Sequence, residues 1–323
     1  MKKNNTRKKL VSEMRGLYQE IYTLQQEIFL MSDYVRDKQN DRLENLYEES
    51  EATWGILLEE TSSILSTTIT SRFALLSNLI EQGGISITSW RDNQWANLEL
   101  SDFQDPPKCI RVGELLINTF TEFPSLPALA QFLSHSNLFV FSPDPLIQTR
   151  IKTLNSILWR IISLSSPQTY HCTLIDPPGL GRNFSSLLNL PEKIRGIKVY
   201  CQAREIQEKL QTILDQITDI IQNKLKDKYA NIEEYNQENT RLLIPYQIVG
   251  ISDFPHGFSE ESIELLRAIS RTGNKAGVYI IAGLLTNPEG FNFSIYETFL
   301  ENGTSVNIIN QDEAEWDDTL FAN

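Results

Sequence analysis

The chain has 323 residues, of which 41% are hydrophobic, and this is enough for one or two packed domains. Its formal net charge of −13 argues against a protein that coats nucleic acid unaided, because phosphate binding requires clustered lysine and arginine. Three widely separated cysteines and three scattered histidines argue against a disulfide framework or a zinc site.

The sequence carries no sign of a membrane or of export. No apolar run approaches the ~20 residues that cross a bilayer, and no hydrophobic signal-peptide core follows the basic N-terminus. Unpaired cysteines suit a reducing compartment. We therefore expect a cytoplasmic protein that has no membrane contact and no metal or other cofactor.

The first nine residues form a basic tip. Its members are Lys2, Lys3, Arg7, Lys8 and Lys9. Short basic runs are weak motifs, so a solvated and frayed terminus is the favoured interpretation. A contact with DNA or lipid is the alternative, and it leaves nucleic acid open as a partner.

Residues 1–84 are predicted to form an α-helical coiled-coil arm. Between positions 7 and 82 there is no proline, and Gly16 and Gly55 are the two glycines. Apolar residues recur in alternating steps of four and three, the heptad pattern of coiled coils. The seam consists of Leu10, Met14, Leu17, Ile21, Leu24, Ile28, Met31 and Val35. Either this seam is a dimerising or partner-binding interface, or a second antiparallel helix from residues 43–58 covers it within the chain.

A small connector follows the glycine pair at positions 83 and 84. Residues 85–125 contain two tryptophans, the sequence "DPP" and the alternating run "IRVGELLI". Alternation of this kind is typical of strands that are buried on one side. We expect a strand-containing connector at 85–125.

From residue 126 onward, strands alternate with helices. The predicted strands are 137–141, 171–176, 197–202, 246–252, 277–282 and 305–309, and the predicted helices are 146–163, 203–230 and 259–271. Several strands are continuous apolar runs, as buried parallel strands are. The alternation predicts an α/β domain at 126–311 with a doubly wound, mostly parallel sheet. Residues 312–323 form an acidic tail.

Three stretches within this domain share a family pattern. They are "LIDPPGLGRNF" at 174–184, "IEEYNQ" at 232–237 and "PYQIVGISDFPHGFSEE" at 245–261. Their combination and order resemble the FtsK/SpoIIIE family of hexameric DNA-translocating ATPases over about residues 110–285. The resemblance implies a RecA-like fold of the P-loop NTPase type, with the phosphate loop after the strand at 137–141.

The turn in the phosphate-loop position lacks the chemistry of a phosphate loop. A working loop uses glycines to point backbone amides at phosphate, a lysine to neutralise charge and a serine or threonine to hold Mg²⁺. Here the turn reads Ser142, Pro143, Asp144 and Pro145, and the chain contains no Gly-Lys pair. Each proline removes an amide donor, and Asp144 adds negative charge. Arg150 and Lys152 lie in the following helix and not in a cradle.

Two further elements of the family's catalytic site are also incomplete. The strand that should end in two carboxylates ends in Ser252 and Asp253, and we interpret Asp253 as a cap of the next loop. Leu284 occupies the position of the polar sensor. Loss of each such group lowers the catalytic rate by orders of magnitude, so we expect no enzyme activity. Asp176 is counted with these vestigial positions.

The segment "PPGLGRNF" at 177–184 invites a dinucleotide-binding interpretation because it follows a strand. It lacks the third glycine, and two prolines remove amide donors, so a structural loop is favoured. Cys172 and Cys201 fall inside predicted strands, and Trp159 lies on an apolar helix face. We expect all three to be core residues.

Together these observations predict a pseudo-ATPase: an FtsK-like scaffold or assembly subunit of a bacterial multiprotein complex. The expected partner is an FtsK-like ATPase or another subunit, and DNA transactions or phage defence follow only by analogy of fold. One alternative is a subunit that lends Arg271 or Lys275 to a partner's composite nucleotide site. The other is a nucleic-acid-binding module that uses the basic tip.

Overall fold

The structure, a computed structural model, covers the chain in segments. It describes residues 2–43, 61–64, 66–68, 71, 85–97, 109–115, 126–131, 137–166, 168–190, 197–286 and 293–317. The chain divides into two units. The first comprises Met1–Thr88 and Leu116–Ser125, and the second comprises Ser89–Leu115 and Leu126–Asn323.

A single long helix, α1 (Lys2–Leu43), dominates the described part of the first unit. It spans 42 residues, as expected for a stretch that lacks proline. Along the predicted seam, Met14 and Leu17 are buried, whereas Met31 is 56% exposed. Ile21, Leu24, Ile28 and Val35 are half-buried. The side chain of Leu10 and nearly all of the predicted second helix at 43–58 lie outside the described residues, so the coiled-coil arm stays a prediction.

In the second unit, a two-stranded antiparallel sheet joins the predicted connector to the α/β domain. Strand β1 (Cys109–Leu115) pairs with β2 (Leu126–Gln131), with Ile110 opposite Ala130. Residues 110–115 of the alternating run therefore lie in a strand. The partner strand begins at Leu126, the first residue of the predicted α/β domain, so β1 and β2 lie on either side of the predicted boundary at residue 125.

Among its described residues, the second unit contains a seven-stranded sheet in the order β5-β4-β6-β7-β3-β8-β9. The strands are β3 (Asn137–Ser142), β4 (Tyr170–Ile175), β5 (Ile197–Tyr200), β6 (Tyr246–Phe254), β7 (Val278–Leu285), β8 (Gly303–Ile308) and β9 (Ala314–Asp317). The first six in this order run parallel, and β9 is antiparallel to β8. The prediction of a mostly parallel sheet is confirmed. Strand β9 falls within the segment that we expected to be an acidic tail.

Helices cover both faces of the sheet. They are α2 (Ile147–Ser163), α3 (Ser185–Leu188), α4 (Ala203–Asp219), α5 (Ile232–Glu238), α6 (Glu260–Thr272) and α7 (Phe293–Glu301). Helix α4 continues as a π-helix, Ile220–Leu225. One buried cluster lies between α2 and the sheet, and a second lies between the sheet and α4, α6 and α7. This arrangement is the doubly wound architecture that the sequence predicts.

The start of α6 follows from its capping residue. The Ser259 hydroxyl accepts a hydrogen bond from the Ser262 amide at 3.2 Å, and Glu260 and Glu261 lie in the first turn. Acidic residues favour the positive end of the helix dipole. The sequence placed this boundary correctly because the capping signal is local.

Candidate functional site

The turn after β3 lies at the carboxyl edge of the sheet, where open α/β folds bind ligands. It is a tight 3-10 turn, Asp144–Leu146, and the Leu146 amide donates to the Pro143 carbonyl at 3.0 Å. Ser142 is fully buried, and its carbonyl accepts from the Thr286 amide at 3.0 Å. Within the described residues, the Ser142 hydroxyl has no hydrogen-bond partner. Pro143 and Pro145 lack amide donors, and the loss of phosphate-binding geometry at this turn stays a prediction.

Arg150, on the first turns of α2, fills the space between the ends of β6 and β7. Its side chain is fully buried, and Nη1 donates to the Leu284 carbonyl at 2.7 Å. Its Nη2 donates to Asp253 Oδ1 in an ion pair. A side-chain carbon at Gly283 would lie 2.6 Å from the Ser252 carbonyl oxygen and 3.0 Å from the Arg150 Cδ, so close packing of β7 against β6 and α2 requires glycine here. Burial lowers the pKa of Arg150, and the Asp253 carboxylate opposes that shift.

Asp253 holds two basic side chains with its two oxygens. Oδ1 accepts from Arg150, and Oδ2 lies 2.7 Å from the His256 Nδ1. The aspartate side chain is 4% exposed, whereas that of His256 is 54% exposed. The interpretation of Asp253 as a simple loop cap is therefore incomplete. Its contact with the loop runs through His256, and its buried partner is Arg150, which sequence reasoning placed only as a helix residue.

Asp176, at the end of β4, organises the loop that follows it. Its carboxylate accepts from the Gly179 amide at 3.2 Å and from the Asn183 amide at 3.1 Å. It also accepts from the Asn183 Nδ2 at 2.8 Å and from the Ser252 hydroxyl at 2.6 Å. Four donors satisfy this buried carboxylate, and three of them belong to the loop at 177–184, so Asp176 holds that loop in place. Ser252 and Asp176 thereby link β6 to β4.

The loops after β4 and β6 also pack directly on each other. Gly257 has φ of +78°, and a side-chain carbon there would overlap the ring of Pro177. Only glycine meets both requirements without strain. Together with the Asp176 and Arg150 contacts, this packing ties the carboxyl ends of β4, β6 and β7 to helix α2.

The two residues considered for action in a partner's site lie elsewhere. Arg271 is exposed at the end of α6, and its Nη2 is 3.4 Å from the Thr298 hydroxyl. Lys275 is exposed in the 3-10 turn Gly273–Ala276, just before β7 begins. Both therefore lie at the amino edge of the sheet, opposite the turn at 142–146. Their role in trans stays a prediction.

The three expected core residues differ in their burial. Cys172 is 2% exposed, and burial raises the pKa of its thiol to about 12. Cys201 is half-buried just beyond β5, and burial, with Asp176 and Glu205, raises the pKa of its thiol. Trp159 is also half-buried, and its Nε1 donates to the Ser186 hydroxyl at 3.1 Å. The core expectation was correct for Cys172. Trp159 is partly buried and packs against the core cluster that includes α2, whereas Cys201 is half-buried beyond the end of β5.

One cluster was not anticipated from the sequence. Trp90 and Trp95 stack with ring centroids 4.3 Å apart, and the Arg160 guanidinium lies 4.4 Å and 5.0 Å from the two rings. The Trp90 Nε1 donates to the Ser156 hydroxyl at 2.9 Å. Burial lowers the pKa of Arg160 to about 10, with a smaller contribution from Arg111. The contacts fasten residues 89–97 to the outer face of α2.

Neither a metal centre nor a membrane span is found among the described segments. Within them, no three histidine, cysteine, aspartate or glutamate side chains are grouped to hold a metal ion. None of the described helices combines the length and apolar character needed to span a bilayer.

The fold is similar to that of known ATPase domains. It matches a structure of EssC (ATPases 2 and 3) from Geobacillus thermodenitrificans with a TM-score of 0.52 and 15% sequence identity, covering 65% of this chain and 39% of that one. It matches the cytoplasmic domain of EssC with a TM-score of 0.50 and 14% identity, covering 63% of this chain and 38% of that one. The chain thus spans less than two fifths of either protein. No protein-family model matches the sequence, and no curated protein matches it significantly.

At this level of identity the likeness shows the fold and nothing finer. The expectation of a mostly parallel α/β fold is confirmed, and this fold is similar to that of the EssC ATPase domains. Whether this chain binds or hydrolyses nucleotide depends on individual residues, because one fold hosts many functions.

Proposed function

We propose that this chain is a pseudo-ATPase: an FtsK-like fold that serves as a non-catalytic scaffold or assembly subunit in a bacterial multiprotein complex. The observation that carries the proposal is the buried Arg150, whose guanidinium is hydrogen-bonded to the Leu284 carbonyl and ion-paired with Asp253.

The described residues at this edge of the sheet support the proposal through the groups that hydrolysis requires. A P-loop ATPase supplies a lysine for the phosphates, an oxygen ligand for Mg²⁺ and a carboxylate that orients water. The turn at 142–146 contains two prolines, and both oxygens of Asp253 are already engaged by Arg150 and His256. A metal ion or catalytic water at Oδ1 of Asp253 would have to displace the buried Arg150, and one at Oδ2 would have to displace the imidazole of His256.

The free energy needed to break the ion pair between Arg150 and Asp253 argues against nucleotide binding at a site that has opened. Breaking a buried ion pair by removing one partner costs about 3–5 kcal/mol. Since about 1.4 kcal/mol corresponds to a factor of ten, opening this site would weaken binding by at least about a hundredfold. The fold is then useful for its surfaces and for the helix α1, which we expect to contact an FtsK-like ATPase or another subunit.

A titration with a fluorescent ATP analogue and Mg²⁺ tests the proposal. We expect no saturable binding in the wild-type chain. Lys152→Ala provides the matched control, because Lys152 is exposed on the same helix two positions from Arg150. Saturable binding by the wild-type chain in the low micromolar range would overturn the proposal, and comparison of Arg150→Ala with Lys152→Ala would then show whether Arg150 takes part in that binding.

A further inference from the structure

The described sheet of the second unit has a short strand at each of its two edges, and the two strands differ in charge. In the described part of the sheet, β5 lies at one edge and β9 at the other, and each has four residues. Edge strands present unpaired backbone groups, and native proteins limit their pairing with charge and short length. The charges at these two edges differ in sign.

On each edge strand, two residues direct their backbone amide and carbonyl groups away from the sheet. On β5, the Tyr200 carbonyl accepts from the Asp176 amide next to β4, so Ile197 and Val199 direct their amides and carbonyls outward. On β9, the Glu313 carbonyl, one residue before the strand, accepts from the Ile309 amide on the β8 side. By the same alternation, Ala314 and Trp316 direct their backbone groups outward.

The exposed side chains near the two edges carry opposite charge. Lys198 on β5 is exposed, and its Nζ lies 4.8 Å from the Tyr200 ring centroid. Burial lowers the pKa of the nearby Lys209, and the positive charge of Lys198 lowers it further. Glu313 and Glu315 at the other edge are exposed. Within the described residues, neither Lys198 nor Glu315 belongs to an ion pair. Each edge therefore has a charge that a neighbouring molecule can neutralise.

We propose that β5 of one copy of this chain pairs with β9 of a second copy. When two copies have their sheets oriented alike, β5 of one runs antiparallel to β9 of the other, because β9 alone is antiparallel to the rest. Antiparallel pairing of the outward residues places Val199 opposite Ala314 and Ile197 opposite Trp316. Lys198 then faces Glu315 at the non-hydrogen-bonded position, where side chains approach most closely.

The assembly is head-to-tail, since the two surfaces differ. Heterologous contacts of this kind build rings or open filaments. An interface of four residues a side is small, so association depends on protein concentration and weakens with salt. Lys198 also blocks pairing with edges that lack carboxylates, which makes the contact selective. The pairing is independent of the state of the nucleotide site.

Cysteine cross-linking tests the register directly. Residues at a non-hydrogen-bonded position have Cα atoms about 4.5 Å apart, within the range that a disulfide spans. We expect a mixture of Lys198→Cys and Glu315→Cys full-length chains to form a disulfide-linked dimer under mild oxidation. Each variant alone controls for the native cysteines, and Lys198→Cys mixed with Glu313→Cys controls for register. Equal yield from all these samples would overturn the proposal.

Sedimentation equilibrium tests the contact in the absence of cross-links. We expect Lys198→Glu and Glu315→Lys each to lower the association constant about fivefold, and the double variant to restore it. Val199→Pro removes an outward amide without breaking the β4 ladder, whereas Val199→Ala keeps it. A chain that stays monomeric at every concentration, or self-association unchanged by the charge reversals, would contradict β5–β9 pairing. Should Val199→Pro fail to fold, the charge variants and the cross-links still distinguish these outcomes.

Discussion

Arg150 and Asp253 form a buried ion pair although they are 103 positions apart in the sequence. The pair joins α2, the helix that follows strand β3, to the end of β6. It lies at the carboxyl edge of the sheet, where open α/β folds bind ligands, and it ties that edge to helix α2.

We expect Arg150→Ala to lower the free energy of unfolding by about 3–5 kcal/mol, because it leaves the Asp253 carboxylate buried with His256 as its remaining basic partner. Denaturant titration followed by circular dichroism measures the change. The double variant Arg150→Met with Asp253→Leu should recover much of the loss, since an apolar pair leaves no uncompensated charge.

The control for this cycle is Lys152→Ala, on the exposed side of the same helix. It should change stability by less than about 0.5 kcal/mol. If Arg150→Ala were as mild as Lys152→Ala, the ion pair would not hold the edge closed.

Removal of the Asp176 carboxylate should loosen the loop at 177–184. In Asp176→Ala, the Ser252 hydroxyl and the Asn183 amides lose their acceptor, which costs about 1–3 kcal/mol for each buried donor that stays unsatisfied. We expect faster hydrogen exchange at Gly179 and Asn183 and faster proteolysis of the loop. Arg182→Ala, an exposed residue of the same loop, should leave both rates unchanged.

Stability should fall in alkali because of Cys172. Burial raises the pKa of its thiol to about 12, whereas an unfolded cysteine has a pKa near ~8.5. The stabilisation that comes from burying the neutral thiol is fully present below the pKa that Cys172 has in the unfolded chain. It is lost as the pH rises towards the higher pKa of the folded chain. The expected loss is about 1.4 kcal/mol per pH unit between about pH 9 and 12.

Burial likewise raises the pKa of Tyr170, so this residue adds to the loss above about pH 10. Denaturant midpoints measured at several pH values for the wild type and for Cys172→Ala isolate the cysteine. Because the alanine variant also leaves a cavity, the slope with pH is the quantity to compare. Identical slopes would show that Cys172 is not buried as described.

Trp90→Ala should destabilise the attachment of residues 89–97 to α2. The variant removes one ring from the Arg160 guanidinium and the hydrogen bond to Ser156, and each such contact contributes about 0.5–2 kcal/mol. Trp90→Phe keeps a ring and should lose less. Thermal unfolding of the two variants gives the comparison, and equal losses would exclude a contribution from the ring.

Local patterns determined much of this protein from sequence alone. Apolar runs placed every strand from β3 to β8 within a few residues, and Ser259 marked the start of α6 because a capping serine acts on its own helix. The prolines at 143 and 145 predicted a turn without converging amides, since proline removes its amide wherever it lies.

Tertiary structure decided what depends on distant partners. No periodicity shows that Arg150 meets Asp253, that Asp176 gathers donors from its own loop and from β6, or that Trp90 covers Arg160. The acidic run after residue 311 predicts a solvated tail because charged side chains favour water. Part of it instead forms strand β9, because β8 provides hydrogen-bond partners for its backbone. Hydrogen bonds and ion pairs between distant residues arise only after the sheet has brought those residues together, so their geometry is absent from any local pattern.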